Sequence, residues 1–332
     1  MTKWLVNNWY QAYPVWWSLI LLLPFSALYR LIMGLRRCLY RLNILKYHRL
    51  TVPVIIVGNI SVGGTGKTPA VIWLAKQLQH AGYHPGIISR GYGGQAEQYP
   101  ISVTPHSDPA HVGDEPLIIS RQSHCPIIVS PNRVQAGEFL LQHHDCDVII
   151  SDDGLQHYAL ERDIELLIVD GKRQFGNGYC LPTGPLREPL SRLQSVDFIV
   201  HTMSQNDIDY TMNLIQTQAI NIVDNSLVQA LEYFHHKTVH AVAGIGHPER
   251  FFEQLQQQGI TVIAHPFADH HPFQISDLDF NDDLPILMTE KDAVKCQHFD
   301  NNKLWFIPIE ATINGKLARN LLTQLAGLYS NG

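Results

Sequence analysis

The chain has 332 residues, of which 45% are apolar and 16% charged, with a formal net charge of −6 at pH 7. That length suggests about two domains, and the composition excludes a disordered or collagen-like polypeptide. Five scattered cysteines (Cys38, Cys125, Cys146, Cys180, Cys296) without a C-x-x-C pair argue against a disulfide framework or a cysteine zinc site, and for a reducing compartment.

Charge is unevenly placed. No Asp or Glu precedes Glu97, so the first 96 residues carry +10 and the remaining 236 carry −16. A basic N-terminal block in an otherwise acidic chain points to an anionic surface or substrate.

Nothing between Trp4 and Arg30 is charged. Four of the six tryptophans (Trp4, Trp9, Trp16, Trp17) lie in this block, and Arg30, Arg36, Arg37, Arg41, Lys46 and Arg49 follow. Pro14 reads as a first helical residue. A charge-free helix from there to Tyr29 reaches only about 24 Å at about 1.5 Å per residue, short of roughly 30 Å of hydrocarbon, and Pro24 interrupts it. The pattern predicts an in-plane anchor over 1–50, with rings at headgroup depth and cations on lipid phosphates. A membrane span and a buried core helix are the alternatives. A secretory signal does not fit, because no small-x-small cleavage site follows.

Residues 52–58 form a short apolar run of the kind buried in a parallel sheet. Ser61, Val62, Gly63, Gly64, Thr65, Gly66, Lys67 and Thr68 come next, then a helical pattern over 70–78. Strand, glycine loop, Gly-Lys-Thr and helix make a P-loop. Its glycines let backbone N–H groups curl round a β-phosphate, Lys67 reaches the β/γ oxygens, and the Thr68 hydroxyl ligates Mg²⁺. The generic pattern has Gly where Ser61 stands, but the flanking elements are correct.

Ser89-Arg90-Gly91-Tyr92-Gly93-Gly94 follows a short strand and suits a phosphate or sugar contact, or a plain turn. In Gly113-Asp114-Glu115-Pro116, Asp114 can be a helix cap with Glu115 in the first turn. Equally, one carboxylate can take a substrate hydroxyl proton while its neighbour joins a metal shell. Asp152 and Asp153 end a strand over 147–151, where P-loop enzymes hold Mg²⁺. The proline-rich stretch 182–189 delivers Arg187, a planar cation suited to a transferring γ-phosphoryl.

From about 238 onward, strands (238–243, 260–264, 285–288, 304–309) alternate with helices (248–258, 292–297, 315–328), the signature of a mostly parallel sheet covered by helices. Thr289-Glu290-Lys291-Asp292 is close to a guanine-reading motif, but its Lys directly precedes the Asp, so a capped helix start fits better. His270 and His271 lack the spacing of a zinc site.

Taken together, the stretches VGNISVGGTGKTP (57–69), SRGYGG (89–94), GDEP (113–116), SDDGLQH (151–157), LPTGPLREP (181–189), AGIGHPERFF (243–252), DHHPF (269–273) and TEKDAVKC (289–296) make the chain resemble the tetraacyldisaccharide 4'-kinases, the lipid A 4'-kinases of Gram-negative bacteria. Ser61 is ordinary within that family. His201-Thr202-Met203-Ser204 departs from it, standing where the family often has Asn-Gly-Gly.

The resemblance implies transfer of the ATP γ-phosphoryl to the 4'-hydroxyl of a tetraacylated glucosamine disaccharide 1-phosphate. It implies Asp114 as base, supported by a histidine, with His271 favoured over His270. Lys67 and Arg187 then stabilise the γ-phosphate, with Asp152 and Tyr92 also in the catalytic group, while Thr68, Glu115, Asp152 and Asp153 hold Mg²⁺. The implied fold is α/β: a P-loop NTPase-type α/β/α sandwich over 51–204, a smaller α/β domain over 205–310, an N-terminal membrane-associated helix within 1–50, and a last helix (311–332) packing back on the P-loop domain. The implied place is the cytoplasmic face of the bacterial inner membrane, with a lipid substrate, no nucleic acid and no obligate protein partner.

Overall fold

The computed structural model describes residues 3–11, 15–204 and 209–330. In chain order the elements are α1 (Lys3–Trp9), α2 (Trp16–Arg41), β1 (Val54–Gly58), α3 (Lys67–His80), β2 (Pro85–Ser89), β3 (Ile101–Val103), α4 (Pro109–Val112), α5 (Asp114–Ser123), β4 (Ile127–Val129), α6 (Arg133–His143), β5 (Val148–Asp152), β6 (Ile164–Asp170), β7 (Phe198–Thr202), β8 (Thr211–Ile215), β9 (Gln218–Asn221), β10 (Val228–Ala230), β11 (Thr238–Ala243), α7 (Pro248–Gln257), β12 (Thr261–Pro266), β13 (Ile286–Thr289), α8 (Glu290–Ala293), β14 (Leu304–Ile307), β15 (Glu310–Ile313) and α9 (Gly315–Ser330).

Two compact units result. The first holds Met1–Arg90, Cys125–Asn213 and Thr312–Gly332; the second holds Gly91–His124 and Leu214–Ala311. The Gly-Asp-Glu-Pro stretch therefore belongs to the second unit and the phosphate loop to the first.

In the first unit the strands run β8-β7-β6-β1-β5-β2-β4, all parallel. Every residue of β1 and β6 is buried, and β1 reads as an unbroken apolar run because it is covered on two faces. Ile56, Ile60, Ile149, Leu167 and Leu186 are fully or almost fully buried in one core. Strands β5, β2 and β4 lie on one side of β1, and β6 to β8 on the other. The loop after β1 thus sits where the strand order reverses, the place at which open α/β sheets bind ligands. Helix α9 belongs to this unit, and Tyr329 Oη donates to the Asp147 carbonyl at 2.6 Å.

The second unit carries a sheet ordered β10-β9-β14-β13-β11-β12, parallel from β14 to β12 and antiparallel at β9 and β10. Phe251, Phe252 and Leu255 of α7 pack on Ala241, Ala243 and Leu287.

Helix α2 differs from the sequence expectation. It runs unbroken for 26 residues, through Pro24 and past Arg30. A proline removes one backbone bond and crowds the preceding turn, but a helix with neighbours on only one flank can bend to accommodate it. Pro14, expected as a first helical residue, lies outside the described residues, as do the side chains of Trp4, Trp16 and Trp17. Within α2, Leu19–Arg41 is long and apolar enough to cross a membrane, with a mean hydropathy of 1.6 over an 18-residue stretch, so length alone does not separate span from anchor. Ile20, Leu21, Phe25, Leu28, Leu31, Ile32 and Leu35 are each more than half exposed. Contiguous apolar exposure on that scale marks an interaction surface.

Candidate active site

The phosphate loop is held by its neighbours. Asn59 Nδ2 donates to Thr65 Oγ1 at 3.1 Å, closing the loop on itself. Val62 N donates to the Pro185 carbonyl at 2.9 Å, and Arg187 N to the Ile60 carbonyl at 2.6 Å. The proline-rich stretch is thus laced to the loop, and this is what delivers Arg187. Gly63 and Gly66 have φ of 106° and 87°, values that other residues rarely adopt. A Cβ on Gly64 would meet nothing within 4 Å, so the cradle is open.

At the end of β5 the two aspartates take different parts. Asp153 points to the phosphate loop: its carboxylate lies 3.7 Å from Lys67 Nζ and 3.0 Å from Arg187 Nη1. Burial works to raise the Asp153 carboxyl, but the Lys67 and Arg187 cations outweigh it and hold it below the usual carboxylate range. Asp152 is 3% exposed and accepts from Ser89 Oγ at 2.9 Å, while its carbonyl accepts from Arg133 Nη2 at 3.1 Å. Arg133, which no local motif singles out, is buried beneath the pair and fixes the strand end. Gln156 Nε2 spans the Asn59 carbonyl and Glu188 Oε1.

Thr68, Asp152 and Asp153 supply hard oxygen donors beside the open cradle, the chemistry Mg²⁺ takes. Among the described residues no group of three or more His, Cys, Asp or Glu is arranged to hold a metal ion by itself. Mg²⁺ in phosphoryl-transfer sites uses one or two carboxylates and completes its shell with phosphate and water.

The second unit holds the other expected residues. Asp114 opens α5 directly after Gly113, whose φ is 90°. The Arg-Gly-Tyr-Gly-Gly and Gly-Asp-Glu-Pro loops interlock: a Cβ on Gly113 would lie 2.7 Å from the Tyr92 carbonyl oxygen, and one on Gly94 2.5 Å from that of His111. Asp114 is 7% exposed, with Oδ2 at 3.1 Å from His270 Nδ1 and 3.8 Å from Lys295 Nζ. The Tyr92 ring lies 5.5 Å from that of His270.

The expectation that favoured His271 is reversed. His271 Nε2 faces Asp277 Oδ2 at 3.0 Å instead. His270 is brought to Asp114 because its own backbone is left-handed (φ 60°), with its N–H bonded to the Gly244 carbonyl.

Two lysines complete the cluster. Lys291 Nζ stands 3.3 Å from His270 Nε2, 3.5 Å from Glu115 Oε1 and 3.8 Å from Asp269. Burial pulls the Lys291 ammonium down, yet Glu115, Asp269 and Asp114 together raise it above its ordinary value. An ammonium can only donate, so His270 Nε2 accepts and the Nδ1 proton is the one facing Asp114. Lys295 Nζ lies 3.0 Å from the fully buried Asp292, which also accepts from Gly244 N. Glu115, expected on a metal, here faces Lys291. The Thr-Glu-Lys-Asp pattern in the sequence assigns neither lysine a partner.

Fold and loop geometry define a P-loop protein whose second unit carries a paired carboxylate and imidazole. The sequence model of the family described as "Tetraacyldisaccharide-1-P 4'-kinase" matches residues 18–326. A tetraacyldisaccharide 4'-kinase of Methylobacillus flagellatus is 50% identical over 329 residues, covering 98% of this chain and 97% of that one. One from Nitrosococcus oceani is 48% identical over 321 residues, covering 97% and 94%. The crystal structure of LpxK from Aquifex aeolicus in complex with ATP is 29% identical, with a TM-score of 0.78 over 92% of this chain and 99% of that one. This chain belongs to the tetraacyldisaccharide 4'-kinase family.

Proposed function

We propose that this chain transfers the γ-phosphoryl of ATP to the 4'-hydroxyl of a tetraacyl glucosamine disaccharide 1-phosphate. The observation that carries the reading is the pairing of Asp114 with His270 in a chain whose phosphate loop has an open, left-handed glycine cradle. A hydroxyl acceptor that attacks phosphorus must shed its proton, and the Asp114–His270 pair supplies a base to take it.

Each residue then has a task. The loop N–H groups from 62 to 68 and Lys67 grip the β- and γ-phosphates. Thr68 and the Asp152–Asp153 pair would hold Mg²⁺, which when bound would neutralise charge on the β- and γ-phosphates. Arg187 exchanges its contact with Asp153 for the γ-phosphate. Asp114 takes the acceptor's hydroxyl proton, and His270 keeps the carboxylate oriented through its Nδ1 proton. Tyr92 supports the His270 ring, and Glu115 balances Lys291.

The exposed face of α2 serves as an anchor at the cytoplasmic face of the inner membrane. Three side-chain bonds support a helix lying along the protein rather than through a bilayer: Ser26 Oγ to the Cys180 carbonyl, Tyr29 Oη to the Arg187 carbonyl, and Arg37 to Ser195 Oγ. They occupy the stretch that a span would place in hydrocarbon, where lipid offers no such partners. Arg36 and Arg41 then meet lipid phosphates.

The test supplies ATP, Mg²⁺ and the tetraacyl disaccharide 1-phosphate in detergent. Phosphate appearing on the lipid, and lost in Asp114→Ala and Lys67→Ala, supports the reading. Hydrolysis of ATP that ignores the lipid sinks it.

A further inference from the structure

We propose that Arg173 is a second guanidinium for the terminal phosphate of the nucleotide, carried on the loop after β6 and aimed by the ring of Tyr10. The proposal rests on the phosphotransferase reading above.

The loop is rigidly placed. Asp170, the last residue of β6, accepts through Oδ1 from the backbone N–H groups of Lys172 (2.9 Å) and Arg173 (3.0 Å). Strand β6 is the neighbour of β1 on the side away from Asp152 and Asp153. Arg173 thus approaches the phosphate loop from the flank opposite those carboxylates.

Its guanidinium stands at the loop itself. Nη1 lies 3.8 Å from the position a Cβ would take on Gly63, the third residue of the glycine loop. The guanidinium carbon lies 4.9 Å from the centroid of the Tyr10 ring. Tyr10 in turn donates from its hydroxyl to the Val62 carbonyl at 3.3 Å. One face of the guanidinium is thereby covered by an aromatic ring fastened to the loop, while an edge projects at the third loop residue. Stacking of this kind fixes the plane of an arginine and leaves its N–H edges available.

The two arginines differ in what occupies them. Arg187 is held by Asp153 at 3.0 Å. Among the described residues Arg173 is paired with no carboxylate, and its guanidinium lies over the Tyr10 ring. A fixed cation beside a triphosphate cradle, with donors to spare, matches the charge that phosphoryl transfer develops. As the acceptor oxygen bonds to the γ-phosphorus, the bond from that phosphorus to the β–γ bridging oxygen breaks. The bridging oxygen leaves on ADP with the electron pair, and the hydroxyl proton passes to Asp114. Meanwhile negative charge spreads over the equatorial oxygens, where Arg173 donates.

The test compares fluorescent ADP with a fluorescent non-hydrolysable ATP analogue, in Mg²⁺ and without lipid, on the full chain and on Arg173→Ala and Arg173→Gln. Both variants should lose about tenfold more affinity for the triphosphate than for the diphosphate, a γ-phosphate contact of about 1.4 kcal/mol. In the lipid assay their kcat should fall about 10²–10³-fold, the usual consequence of removing one charge-stabilising donor. Added guanidinium ion should restore part of the rate in Arg173→Ala. Arg173→Lys should stay impaired, because a point charge cannot stack on the ring and fork. Tyr10→Phe should keep the triphosphate preference and Tyr10→Leu should lose it.

Equal weakening of both nucleotides, or a kcat unchanged in both neutral variants, reduces Arg173 to a strut of the fold and overturns the proposal. An unmodified chain that binds neither nucleotide removes the phosphotransferase reading along with it.

Discussion

Gly113→Ala isolates what the interlocked loops do for Asp114. The φ of Gly113 is 90°, and a Cβ there would meet the Tyr92 carbonyl oxygen at 2.7 Å and the Gly91 carbonyl carbon at 3.2 Å. Gly82 provides the control: its φ is 89°, but a Cβ would meet nothing within 4 Å. Gly82→Ala therefore carries only the left-handed penalty, about 1–2 kcal/mol. Gly113→Ala forces a Cβ into a backbone (φ 90°, ψ 152°) that essentially only glycine adopts, at about 1–3 kcal/mol, and overpacking against backbone adds about 1–3 kcal/mol because neither partner is a side-chain tip that can swing away. The expected loss is about 2–6 kcal/mol, at least twice that of the control at the middle of each range. The displaced residue is the one before Asp114, and a shift near 1 Å at a reacting group costs about 10²-fold in rate. Urea unfolding of both variants, alongside turnover of the lipid, reads the two quantities. A Gly113→Ala protein no less stable than Gly82→Ala would refute the contact argument. Lost stability with full turnover would show that the loops do not place the carboxylate.

Three further outcomes are expected. Asp114→Asn and His270→Gln should each lower kcat, by about 10²–10⁴-fold for the base, whereas His271→Gln should act chiefly on stability through Asp277; equal kinetic losses at the two histidines would contradict the geometry. His157 is held down to about 4 by burial, reinforced by Arg133, Arg162 and Arg36. The unfolded chain therefore takes up its proton near pH 6.5 while the folded chain refuses it, and stability should fall as pH drops from about 6.5 toward 4, with a slope approaching one proton. His157→Gln should lack that component, so a flat difference between the two chains across that window speaks against it. Leu28→Asp with Leu35→Asp, both on the exposed face of α2, should abolish sedimentation with anionic vesicles and leave the melting temperature unchanged; undiminished binding would remove α2 from the membrane.

What the sequence revealed was local chemistry. The glycine loop is legible because each residue answers to its own backbone: a left-handed turn at Gly63 and Gly66, then Lys67 and Thr68 at a helix start. Strand β11 is legible to the residue, since its β-branched and small apolar residues are closed by Gly244. Partnerships made over long separations were not. Lys291 and Lys295 sit in an unremarkable short helix region and meet Glu115 and Asp114 only through folding. Arg133 follows the Asn132 cap, and nothing around it announces a guanidinium buried under Asp152. Two adjacent histidines are indistinguishable by composition, so the choice between His270 and His271 was decided by one backbone angle.

That angle belongs to a pattern. Asp153 and His270 have φ of 49° and 60°, and Asp114 follows Gly113 at 90°. For a residue with a Cβ, such a conformation costs about 1–2 kcal/mol, so it persists where surrounding bonds over-determine it. Asp153 is held by two cations, and His270 by the Gly244 carbonyl, Asp114 and Lys291. Each left-handed step turns the chain out of the line that a strand or helix would follow, and so points a side chain where regular structure cannot. Propensity rules read such positions as turns. In the proposed reaction the charges that hold them are the same groups that bind phosphate or move the proton, which ties backbone strain to function at these sites: a neutral substitution there relaxes the backbone and loses the aim in one step.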